Sequence, residues 1–528
     1  MNYIFTKALI FPMELPGPAV YDSLLVQDGR IALLGSLSDC RSAAGGKAEI
    51  IDLAGKALLP ALTDTHTHYT EFAQQSLQLD LSACRSIAEI RNCLKSYRER
   101  QRELPAWVLG GAWDKNRIDS PQNINAALLD DFFPDVPVAL YSKDFHSRWC
   151  NSAALRIAGV DESSPDPVGG KYQRDTAGNL TGILYETASE LLEQFIVPPS
   201  REMVLDALAQ ATSGIHKLGL TTVHSMETSR GAEILEQFVR ESRSLRVCRH
   251  FFLDELDAMI GHGLHSYTGD EWYKLGGVKL FADGSLGSQT AAIFAQYPGS
   301  DGNRGILRHS EDELFQIASR AAEHGISSTI HAIGDRAVNA VINAFIRLRD
   351  KYPEQGLLSR IEHVQSIAPD DIPRLAKSGA YCALQPVHLA NDIDMIGQYW
   401  ATLEQEAYCF RSLLDQGIPF GFGSDAPIET INPFHGIYSA IARKNRLDPK
   451  AKTWLPDERI SLHDALYAYT LGAAKGSDAQ HCAGSLNPGK LADLIVLEDF
   501  TRLPWEYWLE AESRLTMLGG EIVWSAGI

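Results

Sequence analysis

The sequence predicts an α/β protein built on an eight-stranded TIM-type (β/α)8 barrel, with a composite β-sandwich made from both chain ends and a subdomain inserted after the first barrel strand. Three observations predict it. Both ends of the chain read as short strands broken by turn residues. The middle alternates short β-branched runs with amphipathic stretches of helix length, the sequence form of repeated β/α units. Finally, about 150 residues separate the first two of those runs, far more than one crossover helix requires.

Residues 1–57 carry the first part of the sandwich. Ser23–Gln27 and Arg30–Gly35 are apolar-rich runs flanking Asp28-Gly29, a two-residue hairpin signal. Residues 480–528 carry the second part, with Ala492–Leu497 and Leu515–Trp524 again reading as strand, turn and strand. The barrel is expected over 58–479, with the insertion at 75–210. Its strands are predicted at Ala61–Thr65, Leu220–Val223, Val247–Leu253, Gly277–Phe281, Ser327–Ile330, Arg360–Glu362, Ala380–Leu384 and Pro419–Gly423. No internal repeat or low-complexity segment interrupts them.

Composition narrows the function classes. A chain of 528 residues with 45% hydrophobic content can bury a large core. A formal charge of −19 excludes the basic surface that phosphate backbones need, so no nucleic-acid partner is expected. The eight cysteines are scattered without a C-x-x-C pair, which fits reduced thiols better than a disulfide frame. The N-terminus lacks a basic stretch followed by an apolar run and cleavage site, and no apolar run is long enough to span a bilayer. A cytoplasmic protein acting on a small molecule is expected, away from membranes, with a homodimer left open.

The chemistry starts at His66-Thr67-His68. Two imidazoles two residues apart on an extended segment point to the same side and form a half-site for zinc or a similar divalent ion. In a TIM barrel the active site lies at the C-terminal ends of the strands, so the residues there test the idea. The predicted strand ends supply His66 and His68, Lys279, His331, His363 and Asp425. Ionisable groups on apolar strands are costly to bury unless paired or metal-bound, so their shared position points to a metal centre.

This set resembles the amidohydrolase superfamily. The stretches Val278–Gly287, His331–Ala337 and Gly423–Pro427, with Gly484–Leu494 in the closing sandwich segment, are similar to its amidohydrolase-3 branch of YtcJ-like hydrolases and N-substituted formamide deformylases. One departure is Ala61, where the family usually has glycine after Pro60. The resemblance implies a metal-dependent hydrolase of non-peptide carbon–nitrogen bonds, acting on amide or N-acyl and N-formyl compounds. It implies one or two divalent ions, zinc first among them, which activate a hydroxide. His66, His68 and Asp425 would hold one ion and His331 and His363 the other. Lys279, a poor ligand as an ammonium, would bridge them once carboxylated. The alternative for Lys279 is an ordinary ion pair with Asp283 beside a single ion. Asp425 would also shuttle the water's proton to the leaving nitrogen.

The resemblance also marks His146 and Glu186 in the insertion, and His388 past strand seven, as substrate contacts. Asp64 either orients His66 or caps a turn. His224 either faces substrate or is an internally bonded histidine. Trp107, Trp113 and Trp149 either line a pocket or form core. Three rival functions stand. A deaminase needs a glutamate in an H-x-x-E pattern after strand five, where this chain has Gly334, with Asp335 one residue on. A lactonase needs the same metals. A binding protein on this fold would keep the shape without turnover.

Overall fold

The computed structural model describes the chain except residues 102, 116, 143–146, 168–169, 355 and 449. It divides into two compact units, Met1–Tyr69 with Ala211–Ile528, and Thr70–Gln210.

The first unit contains the barrel. Its strands are β1 (Leu62–Thr67), β2 (Leu220–Glu227), β3 (Arg246–Phe252), β4 (Tyr273–Phe281), β5 (Ser328–Ala332), β6 (Arg360–His363), β7 (Tyr381–Leu384) and β8 (Phe420–Phe422). They pair in parallel in chain order from β1 to β8. The register aligns His331 with Phe281 on one side and Glu362 on the other, and Ala332 with His363. The predicted site residues are thereby brought to one level of the sheet.

Two strands run further than their composition suggests. β4 begins at Tyr273 rather than Gly277, because the two intervening low-propensity glycines are required by close packing. A Cβ on Gly276 would stand 2.8 Å from the His250 ring, and one on Gly277 would stand 2.6 Å from the Ser327 carbonyl. β2 continues to Glu227 instead of stopping at Val223, which puts His224 in mid-strand.

β8 returns to β1 through backbone bonds from Asp425 N–H to the His66 carbonyl and from His68 N–H to the Ala426 carbonyl, both 2.7 Å. Gly423 permits that approach, since a Cβ there would sit 2.6 Å from the His66 nitrogen. Helices cover the outside. One of them, Asp335–Lys351, buries Val338, Val341, Ile342 and Phe345 at helical spacing.

The sandwich joins a four-stranded sheet (Tyr3–Thr6, Ser23–Gln27, Arg30–Gly35, Glu49–Asp52) to a five-stranded sheet. The latter combines Leu9–Ile10 and Ala57–Pro60 with Leu494–Leu497, Leu515–Leu518 and Glu521–Ser525. Phe5, Leu24, Val26, Leu58, Val496 and Met517 fill the space between them. Asp28 and Gly29 form the hairpin with φ of 53° and 75°, the pair of positive values that matches strand twist in a two-residue turn. The sandwich strand Ala57–Pro60 passes through Ala61 directly into β1, and Ala61 N–H is bonded to the Asp493 carbonyl at 3.0 Å.

The second unit is a six-stranded mixed sheet in the order Gly170–Arg174, Leu180–Glu186, Ser147–Cys150, Val138–Ser142, Val108–Trp113, Leu79–Asp80. Trp107, Trp113 and Trp149 are buried inside this unit and belong to its core rather than to a substrate pocket. The indole N–H of Trp113 reaches the Leu140 carbonyl (3.0 Å), and that of Trp149 reaches the Asn125 carbonyl (2.9 Å). All eight cysteines are free. No described helix is long and apolar enough to cross a membrane.

Candidate metal centre

The six predicted ligands converge at the C-terminal ends of β1, β4, β5, β6 and the seam after β8. One ligand atom each from His66, His363 and Asp425 lies within 4.8 Å of the others, and all three residues are buried. Asp425 Oδ1 is 3.4 Å from His66 Nε2 and 3.6 Å from His68 Nε2. The His331 and His363 rings lie 4.5 Å apart between centroids. Lys279 Nζ is 3.3 Å from His66 Nε2, inside the group. His363 and Asp425 hold φ of 76° and 60°, left-handed values that non-glycine residues adopt only under constraint.

Three of the four imidazoles are oriented from behind. His66 donates Nδ1–H to the Glu362 carboxylate, which leaves Nε2 free to ligate. His363 donates Nδ1–H to Gln385 Oε1 at 2.9 Å, again freeing Nε2. His331 instead donates Nε2–H to the Gly284 carbonyl at 3.0 Å, so its Nδ1 carries the lone pair. Glu362 is itself gripped by Arg360 through Nε (3.0 Å) and Nη2 (3.2 Å), with both side chains fully buried.

Protonation matches a metal site. Burial, then the Lys279 charge, drives the His66 imidazole well below its ordinary range, so it stays neutral. Burial acts likewise on His363, reinforced by His331. Burial opposes ionisation of Asp425, but the adjoining His66 and a hydrogen bond from His68 outweigh it and hold the carboxyl well below its usual value. Burial lowers Lys279 to about 8, against the pull of Glu362 and Asp425. Neutral imidazoles beside an ionised carboxylate are the states in which these side chains bind a divalent ion.

The remaining expectations sort as follows. Lys279 makes no ion pair with Asp283, which instead receives the backbone N–H groups of Ala292, Ile333 and Gly334 at 2.9–3.0 Å. Asp64 acts on the backbone rather than on the His66 ring: its Oδ1 accepts from His66 N–H and Ser424 N–H, both 3.0 Å, across the seam. His224 is not at the strand end. It lies in mid-strand against Arg360 Nη1 at 3.0 Å. His388 is buried beside the centre, with Nε2–H on the Ser424 carbonyl at 3.2 Å. Glu186 closes a strand of the second unit and is exposed, and His146 lies outside the described residues.

Sequence reasoning missed Glu362, Arg360 and Gln385 as supports. The i−1 carboxylate before His363 was a signal for the first.

A sequence model of the amidohydrolase family matches residues 49–524. The chain belongs to the amidohydrolase family. Among curated relatives it is 31% identical to "Putative amidohydrolase YtcJ" of Bacillus subtilis (strain 168), over 99% of both chains. It is 28% identical to the N-substituted formamide deformylase of Arthrobacter pascens, over 90% of both. Its fold superposes on an uncharacterized metal-dependent hydrolase from Pyrococcus furiosus with a TM-score of 0.78 and 26% identity, covering 94% of this chain and 99% of that one. The protein is a metal-dependent hydrolase of this family.

The geometry around Gly334 bears on the family's other chemistries. A Cβ at Gly334 would stand 2.1 Å from the Ala292 carbonyl, so no glutamate fits there. Asp335 is bonded to Phe294 N–H (3.0 Å) and Arg336 N–H (2.8 Å), a loop-anchoring role. Position 334 itself therefore carries no proton-transferring acid.

Proposed function

We propose that this protein hydrolyses a non-peptide carbon–nitrogen bond in a small amide, N-acyl or N-formyl compound, at a zinc centre held by His66, His68, Lys279, His331, His363 and Asp425. The observation that carries this reading is the convergence of His66, His363 and Asp425, with His66 fixed by Glu362 in its ligating tautomer. The formamide-deforming relative favours C–N over C–O substrates, and the crowding at Gly334 disfavours deamination.

Divalent zinc in this donor set supplies Lewis acidity that acidifies a water and polarises a carbonyl. An ammonium 3.3 Å from the ligating nitrogen of His66 would repel such an ion. Lys279 resolves the conflict by carboxylation. Its neutral amine attacks carbon dioxide and releases one proton to solvent, and the resulting carbamate would offer anionic oxygens as ligands. Burial, which lowers its pKa to about 8, favours the neutral amine this step needs. Asp425, ionised and reachable at the strand ends, takes the attacking water's proton and returns it to the leaving nitrogen. The C–N bond breaks, giving a carboxylic acid and an amine. His388, beside Asp425, contacts substrate from the barrel side.

The test is a zinc-reconstituted enzyme assayed on N-substituted formamides, simple amides and lactones. Turnover of a formamide or amide, lost in Asp425→Asn with zinc still bound, is expected. Turnover confined to lactones, or full amidase activity without metal, would overturn the proposal.

A further inference from the structure

The opposite end of the barrel holds a second cavity. It encloses about 520 Å³ between the first halves of β1–β4 and the segment 474–483. Eight-stranded barrels are ordinarily filled by inward-facing side chains. Here the inward positions Thr63, Thr222 and Cys248 are short, and the space above them stays open. No metal ligand lines it, so the inference does not depend on the proposed reaction.

Two polar groups at this cavity have unused donor capacity. His224 is fully buried, and its Nδ1 receives Arg360 Nη1 at 3.0 Å. Arginine is permanently a donor, so the imidazole proton sits on Nε2. Among the described residues, that Nε2 has no hydrogen-bond partner. Lys274 donates to the carbonyls of Ser477 (3.1 Å) and Asp478 (3.2 Å), and no carboxylate among the described residues lies within ion-pair distance. One N–H of its ammonium is left over.

The charges around them, Asp478 apart, are already matched. Glu271 is taken by Arg30 and Asp270 by Arg240. Arg246 is bidentate on Asp493 at 2.6 and 3.0 Å. The Asp478 carboxylate accepts from Gln480 at 3.1 Å. What Lys274 Nζ lacks is an acceptor that bears negative charge. The remaining wall is mixed, with Val247, Ala474, Ala479, Ala483 and Leu491 forming its apolar part beside Tyr267, Ser477 and His481.

We propose that this basal cavity binds a small organic carboxylate, its two oxygens received by His224 Nε2–H and Lys274 Nζ and its short apolar body packed against the alanine-rich wall. A volume of this size falls in the range of small-molecule sites.

The experiment titrates zinc-loaded protein with hexanoate by calorimetry, with hexanamide and hexylamine as controls, and repeats it on Lys274→Met. Expected are saturable hexanoate binding, at least about tenfold weaker binding of the amide, none of the amine, and at least about a tenfold loss in Lys274→Met with hydrolytic activity unchanged. Ala483→Trp, a loop substitution that narrows the cavity, is expected to give the same loss should Lys274→Met fold poorly. On unmutated protein, soaked 4-iodobenzoate is expected to give an anomalous iodine peak inside the cavity, one ring length from Lys274 Nζ and against the apolar wall, with carboxylate density at Lys274. Equal binding of acid and amide, or hexanoate binding that ignores both substitutions and disappears on chelation, would overturn the proposal by assigning the anion to the metal centre.

Discussion

Replacing Glu362 by glutamine probes how the centre is held. Glu362 accepts from His66 Nδ1–H and twice from Arg360. Glutamine keeps one acceptor oxygen, which Arg360 Nε can retain, and turns an NH2 group toward Arg360 Nη2 and His66 Nδ1. Two donors would then face each other, and His66 would relieve this by moving its proton to Nε2, the nitrogen that must ligate. Losing such an outer hydrogen bond typically costs about 10–100-fold in metal affinity, or about 1.4–2.8 kcal/mol. Arg360 would also be left fully buried without a counter-charge, a loss of about 3–5 kcal/mol in stability when one partner of a buried pair is removed. Its bonds to the Thr65 carbonyl (2.8 Å) and Gly476 carbonyl (3.0 Å) place the expected value at the lower end, about 3 kcal/mol. Zinc affinity is read by competition with a chromophoric chelator, and stability by urea unfolding of metal-free protein. The double variant Arg360→Met/Glu362→Gln should regain stability without regaining zinc affinity. Zinc affinity of Glu362→Gln within about twofold of the parent would refute the tautomer argument.

Other consequences are open to measurement. Exhaustive chelation should abolish hydrolysis and lower the thermal midpoint, and added zinc should restore both, because a ligand bound only by the folded state stabilises it; unaltered activity after verified metal removal would contradict this. Gly423→Ala should destabilise the chain by about 1–3 kcal/mol and weaken zinc binding together, since the added methyl pushes on the His66 nitrogen; urea unfolding and chelator competition read the two effects. Gly334→Glu should lower the thermal midpoint without conferring deaminase activity, because its side chain meets the Ala292 carbonyl; a stable, deaminating variant would show that the loop yields. Trp149→Ala should cost about 3–5 kcal/mol in the second unit, measured by limited proteolysis of residues 70–210.

The strand ends were readable because their residues break the apolar pattern in a way only paired or liganded groups can. His66, Lys279, His331, His363 and Asp425 recur at the ends of successive strand-like runs, and β1 carries five polar residues, all of which the fold buries. What lay beyond the sequence depends on three-dimensional register. Glu362 reaches His66 across the interior of the barrel, a separation of 296 residues that no local spacing encodes. Asp64 looks like a partner for the His66 ring from strand parity, yet barrel closure brings the Ser424 N–H within reach and turns the carboxylate to the backbone. His224 was misplaced for a simpler reason. The strand continues through Ser225-Met226-Glu227, whose weak β-propensity hid its true end and moved that histidine from the mouth to the interior. The glycines at 276 and 277 mark the same limit, because they look like breakers and are close-packing residues.

The central claim is that divalent metal sits where β1, β4, β5, β6 and the β8 seam meet. A crystal of zinc-loaded protein, with data collected on both sides of the zinc absorption edge, tests it most directly. Two anomalous peaks about 3.5–4 Å apart are predicted, one bonded to His66 and His68, the other to His331 Nδ1 and His363 Nε2, with Asp425 on the centre and added density on Lys279 between them. A single ion beside an unmodified lysine would contradict the two-metal centre, and zinc absent from His66, His363 and Asp425 would contradict the account as a whole.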